Sequence, residues 1–125
     1  MNRHAPSLSY TPWRLLEHIR IAQWDILEFI RNPKHISPPW PVGYWPAEDA
    51  TADQAAWNIT LAGFRRDLAD LQALVSDPSN DLTAPLAHVT DPKYTLLREV
   101  LVAADHNSYH IGEFGVLKTL LGIEE

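Results

Sequence analysis

No cysteine occurs in this 125-residue chain, so disulfides, thiolate zinc sites and a cysteine nucleophile are all excluded. Any metal ligands must then come from His, Asp or Glu. Positive charge is also scarce: Lys and Arg total 10 against 16 Asp and Glu, a formal net charge of −6 with no basic cluster. Such a surface repels phosphate backbones and argues against nucleic acid as a partner. Long apolar runs are missing as well. The most hydrophobic stretch, TLLREVLVAADH, is broken by Arg98, Glu99 and Asp105 well before bilayer length, and MNRHAPSLSY has no apolar leader segment. A cytoplasmic protein with no membrane partner is expected. Neither internal repeats, low-complexity tracts nor the period-two alternation of strands is apparent. What remains is 46% apolar and 21% charged residues, the composition of a globular chain that forms a single domain over residues 1–125.

Three segments carry helical periodicity. The first spans about 12–31, with Thr11 as cap, Pro12 in the first turn and Asn32-Pro33 as the stop. Its inward stripe is Leu15, Ile19, Ala22, Ile26 and Phe29 or Ile30. The second spans about 51–76, where Thr51 and Gln54 have capping-box spacing and Trp57, Leu61, Phe64, Leu68, Leu71 and Val75 form the apolar ridge. The third spans about 95–121, although Asp91-Pro92 offers an alternative start. Leu97, Leu101, Ala104, Ile111, Val116 and Leu120 are among its apolar positions, and Gly122 follows as a C′ residue. The class is therefore all-α, packed as a bundle.

Both connections exceed the 2–8 residues or so usual in helical bundles. The first, NPKHISPPWPVGYWPAEDA, is stiffened by Pro33, Pro38, Pro39, Pro41 and Pro46 and carries Trp40, Tyr44 and Trp45, which need apolar cover. An aromatic flap over one end of the bundle follows, either as a packed crossover or as a substrate lid. The second, DPSNDLTAPLAHVTDP, carries His88, which is expected in solvent.

The chemistry concentrates in DHNSYHIGE. His106 and His110 are four residues apart, so both imidazoles can reach one point from one helix face, and Glu113 shares that face. Burying a polar ring without a partner costs about 1–3 kcal/mol, so two rings on one stripe require hydrogen bonds or a cation. By itself the HxxxH spacing is a weak metal signal and fits better a pair that hydrogen-bonds to neighbouring helices or sits at a wet edge. Asn107 stands where a zincin has its glutamate, so protease chemistry is not supported. A third histidine, His18, flanked by Leu15, Ile21 and Ala22 on the first helix, would complete an N₃ ligand set with positions open for water or substrate. Asp105, Asn107 and Tyr109 lie off the ligand face. Gly112 and Gly115 inside a helix point to close approach by a neighbouring helix or the flap. Trp24 and Trp57 read as core.

The blocks PWRLLEHIRIAQWDILEFIRNP, SPPWPVGYWP, AAWNITLAGFRRDLADLQALV and TLLREVLVAADHNSYHIGEFGVLKTLLG span nearly the whole chain. Together they resemble the DinB-like (YfiT-like) metal-binding four-helix bundles. The resemblance implies a divalent metal such as zinc, nickel or iron, held by one histidine from an earlier helix and two from an HxxxH in the last. On this sequence these are His18, His106 and His110. It also implies a small-molecule substrate and either transfer of a thiol cosubstrate onto an electrophile or metal-dependent hydrolysis or isomerisation. Glu113 would then orient a ligand or take a proton, its alternative being an ordinary solvent-exposed glutamate. A non-catalytic helical interaction protein with a relic metal site is the competing reading.

One departure from the family stands out. Only Met1 to Thr11 precede the first long helix, and a segment with Pro6 cannot supply three regular turns. The fourth helix is thus expected to be absent or replaced by a partner, and a homodimer is expected to cover the open apolar face.

Overall fold

The computed structural model describes residues 2–3 and 10–123. It is all-α, with α1 (Pro12–Arg31), α2 (Gln54–Ser76) and α3 (Leu96–Leu120). Among the described residues there is no strand, only an isolated antiparallel bridge between Pro85 and Thr95. No described helix is long and apolar enough to cross a membrane. The expectation that the N-terminal segment lacks a helix falls largely on residues outside the described ones.

Helix boundaries follow from side-chain caps. Thr11 Oγ1 accepts from Arg14 N, Pro12 sits in the first turn, and Asn32 ends α1. Thr95 caps α3 by accepting from Arg98 N, which rules out the alternative start at Asp91. At the far end Gly122 has φ +69° and Ile123 N donates to the Lys118 carbonyl, the αL ending expected of a C′ glycine. For α2 the expected Thr51–Gln54 capping box does not form. Asp53 is the cap, its Oδ1 accepting from Ala56 N at 2.8 Å, so the helix starts at Gln54. A carboxylate at the N-cap combines the hydrogen bond with a favourable charge on the helix dipole, which a threonine two residues earlier cannot match.

α1 is the central helix and packs against both α2 and α3, which touch each other little. Trp13 pairs with Thr60, Gln23 with the Phe64 carbonyl and Arg31 with Asp70, so α1 and α2 run parallel. Parallel neighbours oblige the chain to travel back along a helix about 30 Å long, which explains the length of the first connection. α3 is antiparallel to α1: Leu96 and Ala103 join Leu27, Ile30 and Leu71 in one core cluster, and Leu117 joins Leu15 and Ile19 in the other. Between these apolar ends lies a polar layer. Asn107 Nδ2 donates to Gln23 Oε1, and Gln23 Nε2 donates to the Phe64 carbonyl, tying all three helices.

The inward faces differ from the expected ones in two helices. On α2, Thr60, Gly63, Asp67 and Leu71 are buried, whereas Trp57, Leu61, Phe64 and Leu68 are half-buried and Val75 is exposed. On α3, Leu96, Glu99, Ala103, His110 and Leu117 face α1, while Leu97, Leu101, Ala104, Ile111, Val116 and Leu120 are exposed. Both shifts have one cause: among the described residues α2 and α3 are covered mainly on the side toward α1, and on α3 that side carries the polar ligand-bearing stripe. Gly112 and Gly115 correct a further expectation, since a Cβ at either would meet nothing within 4 Å.

The flap is self-braced. Gly43 N donates to the Pro39 carbonyl and Tyr44 N to the Pro41 carbonyl, forming a 3₁₀ turn over Val42–Tyr44. A Cβ at Gly43 would lie 2.6 Å from Pro38 Cβ and 2.8 Å from Pro39 Cδ, so only glycine fits. Trp40 does not find the apolar cover expected of it and remains 72% exposed.

Candidate metal centre

His18, on the second turn of α1, is 2% exposed, and His110 on α3 is 9% exposed; His106 is half-buried. The antiparallel packing of α1 on α3 brings the three rings together, with one ligand nitrogen from each lying within 4.8 Å of the others. His106 Nε2 and His110 Nε2 are 3.1 Å apart. Two imidazole nitrogens at metal–nitrogen distances near 2.0–2.1 Å are about 3 Å apart, so this pair already has the spacing of ligands on one ion. The spacing and setting predicted from the sequence for these three residues are found in the fold.

Hydrogen bonds fix which nitrogen of two rings is available. His18 Nδ1 lies 2.8 Å from the Tyr44 carbonyl, an acceptor only, so Nδ1 carries the proton and Nε2 the lone pair. His110 Nδ1 lies 2.5 Å from Glu113 Oε1 and donates to it, leaving Nε2 of the neutral ring unprotonated. His106 Nε2–H can then donate to His110 Nε2, and a cation at this point would replace that shared proton. Trp45 stacks on His18 with ring centroids 3.8 Å apart and planes within 4°, while His18 meets His106 and His110 edge-on.

The rings are held neutral. Burial lowers the pKa of His18, opposed by its hydrogen bond to the Tyr44 carbonyl and assisted by His106. Burial likewise lowers His106, with Asp105 acting in the opposite direction. His110 is pushed down to about 4, first by burial and then by His106 and His18. Glu113 is raised by burial. Two neutral imidazoles with Nε2 lone pairs set by their partners, and a third whose Nε2 is freed when a cation replaces the shared proton, form an all-nitrogen donor set suited to zinc, nickel, iron or copper.

Glu113 is therefore part of the cluster, bonded to His110 and not free in solvent. Asp105 and Tyr109 are exposed, as expected of residues off the ligand face. Asn107 serves the interhelical layer. His88 is exposed and bonds to the Phe29 carbonyl near the C-terminal end of α1, away from the site. Trp24 is half-buried with its ring edge-on to His35, and Trp57 is also half-buried. Sequence reasoning missed the roles of Tyr44 and Trp45 against His18 and the anchoring of the flap on Asp25. A readable signal existed for the last: Asp25 follows His18 by seven residues, two turns along the same face. No family model, no curated protein and no solved structure matches this chain.

Proposed function

We propose that this chain is a divalent-metal-binding helical bundle of the DinB-like type, in which His18, His106 and His110 hold one zinc, nickel or iron ion. The reading extends to a metal-dependent enzyme of the thiol-transferase or hydrolase kind, acting on a small electrophile or ester-like substrate. The observation that carries it is the convergence on one point of three imidazoles from two helices, His18 and His110 buried and His106 half-buried, each with its pKa lowered by burial. The resemblance of the four sequence blocks to DinB-like proteins supports the same reading.

A bound divalent cation supplies Lewis acidity, which makes a water or thiol nucleophile available near neutral pH. The protein's own groups prepare the site for this. The Tyr44 carbonyl sets the His18 tautomer, Glu113 sets that of His110, and Trp45 covers the His18 ring. Such outer partners hold ligands in orientation and raise their basicity. Glu113, with its carboxyl pKa raised by burial, is suited to take up a proton released at the site.

The test is a screen for thiol transfer to small electrophiles and for ester hydrolysis, using chelator-stripped protein before and after reloading with zinc, nickel or iron. Activity should appear on reloading and be lost in His106→Ala. Activity that survives complete metal removal overturns the enzymatic reading.

A further inference from the structure

Asp25 holds the flap at two points. Its Oδ1 accepts from His35 Nε2 at 2.7 Å, and its Oδ2 accepts from the Tyr44 hydroxyl at 2.7 Å. The side chains of His35 and Asp25 are 7% and 13% exposed, so the contacts are shielded from solvent. His35 stands where the chain leaves α1, and its ring packs edge-on against Trp24. Tyr44 ends the 3₁₀ turn, and its own carbonyl accepts from His18 Nδ1. One residue further, Trp45 stacks on the His18 ring.

From this arrangement we infer that Asp25, His35 and the Tyr44 side chain are positioning residues for the metal ligand His18. The inference rests on the metal-binding reading above. Asp25 clamps the flap to α1, and the clamped flap delivers a carbonyl and an indole face to His18 two turns earlier on the same helix. The flap can transmit position because it is stiff: Gly43 N and Tyr44 N are bonded within it, and Gly43 is packed against Pro38 and Pro39. Holding the Tyr44 hydroxyl therefore holds the Tyr44 carbonyl. With that carbonyl at 2.8 Å the His18 ring keeps its proton on Nδ1 and presents Nε2 toward His106 and His110. If the clamp is released, the ring is free to rotate and to exchange tautomers, and the ligand set is no longer preorganised.

The experiment uses the full chain with Tyr44→Phe and Asp25→Asn, read in two ways. In metal-free protein at about pH 8, where the rings are neutral, long-range ¹H–¹⁵N spectra report the His18 tautomer. Wild type should show the proton on Nδ1, and each variant should show a mixture. Zinc affinity, measured by competition with a chromophoric chelator, should fall about tenfold to a hundredfold in each variant, the range for lost outer partners of metal ligands. Thermal unfolding of Tyr44→Phe, which removes one oxygen, checks that the fold persists should Asp25→Asn fail to fold. Wild-type tautomer and affinity in a folded Tyr44→Phe would overturn the inference. A wild-type chain that binds no zinc would instead overturn the metal reading, with the tautomer comparison still deciding whether the clamp orients His18.

Discussion

Acid should destabilise the metal-free protein through His110, and the size of the effect can be worked out. The residue is 9% exposed, and its pKa falls from the ordinary 6.5 to about 4 on folding. A depressed histidine pKa means that the unfolded chain binds the proton more readily. Stability is therefore full above the unfolded pKa and is lost as pH falls from about 6.5 toward about 4. For that pair of values the loss is about 1.4 kcal/mol at about pH 5.5 and about 2.5 kcal/mol at about pH 4.5. His18 and His106 are lowered in the same direction and add to it, whereas Glu113, raised by burial, recovers some stability as it protonates. Against a total of about 5–15 kcal/mol for a domain, this is a large fraction. The assay is urea unfolding in the presence of chelator at about pH 7.5, 5.5 and 4.5, comparing wild type with His110→Gln. The variant should start less stable or equal at neutral pH and lose about 2 kcal/mol less on acidification. An identical acid loss in the two proteins would refute the reasoning.

Glu113→Gln keeps a hydrogen-bond acceptor for His110 but removes its charge, and zinc affinity should fall about tenfold; an unchanged dissociation constant would remove Glu113 from the site. Asp53→Ala should cost about 1 kcal/mol in chemical denaturation, while Thr51→Ala costs only a few tenths, because Asp53 alone caps α2; the reverse ranking would restore the capping-box reading. Leu101, Ile111 and Val116 on α3 are more than half exposed, at 58%, 59% and 53%, so self-association as a homodimer is expected at micromolar concentration. A well-folded, strictly monomeric species in sedimentation would reject it.

Which parts of this molecule were readable depended on whether the signal was local. Thr11-Pro12, Asn32-Pro33, Thr95 and Gly122 mark helix ends through their own backbone and side-chain chemistry, and the ends fall there. HxxxH fixes the facing of His106 and His110 by helix geometry alone, and both rings meet His18. The inward face of α3 was not legible in the same way. Leu97, Leu101 and Ile111 look like a core stripe, yet burial is decided by where α1 lies, and α1 lies on the side of Glu99 and His110. The cap of α2 was ambiguous because Thr51 and Asp53 are both good capping residues two positions apart. Most hidden of all was the Tyr44 carbonyl, since every residue has one and only the path of the flap brings this one to His18.

The most direct test of the three-histidine site is elemental analysis of protein purified without a nickel column, stripped with chelator and then incubated with zinc, nickel or iron. Wild type should retain one equivalent per chain after desalting, and His18→Ala, His106→Ala and His110→Ala should each lose most of it. A wild-type chain that remains metal-free with all three ions, or variants that bind as wild type does, would contradict the account.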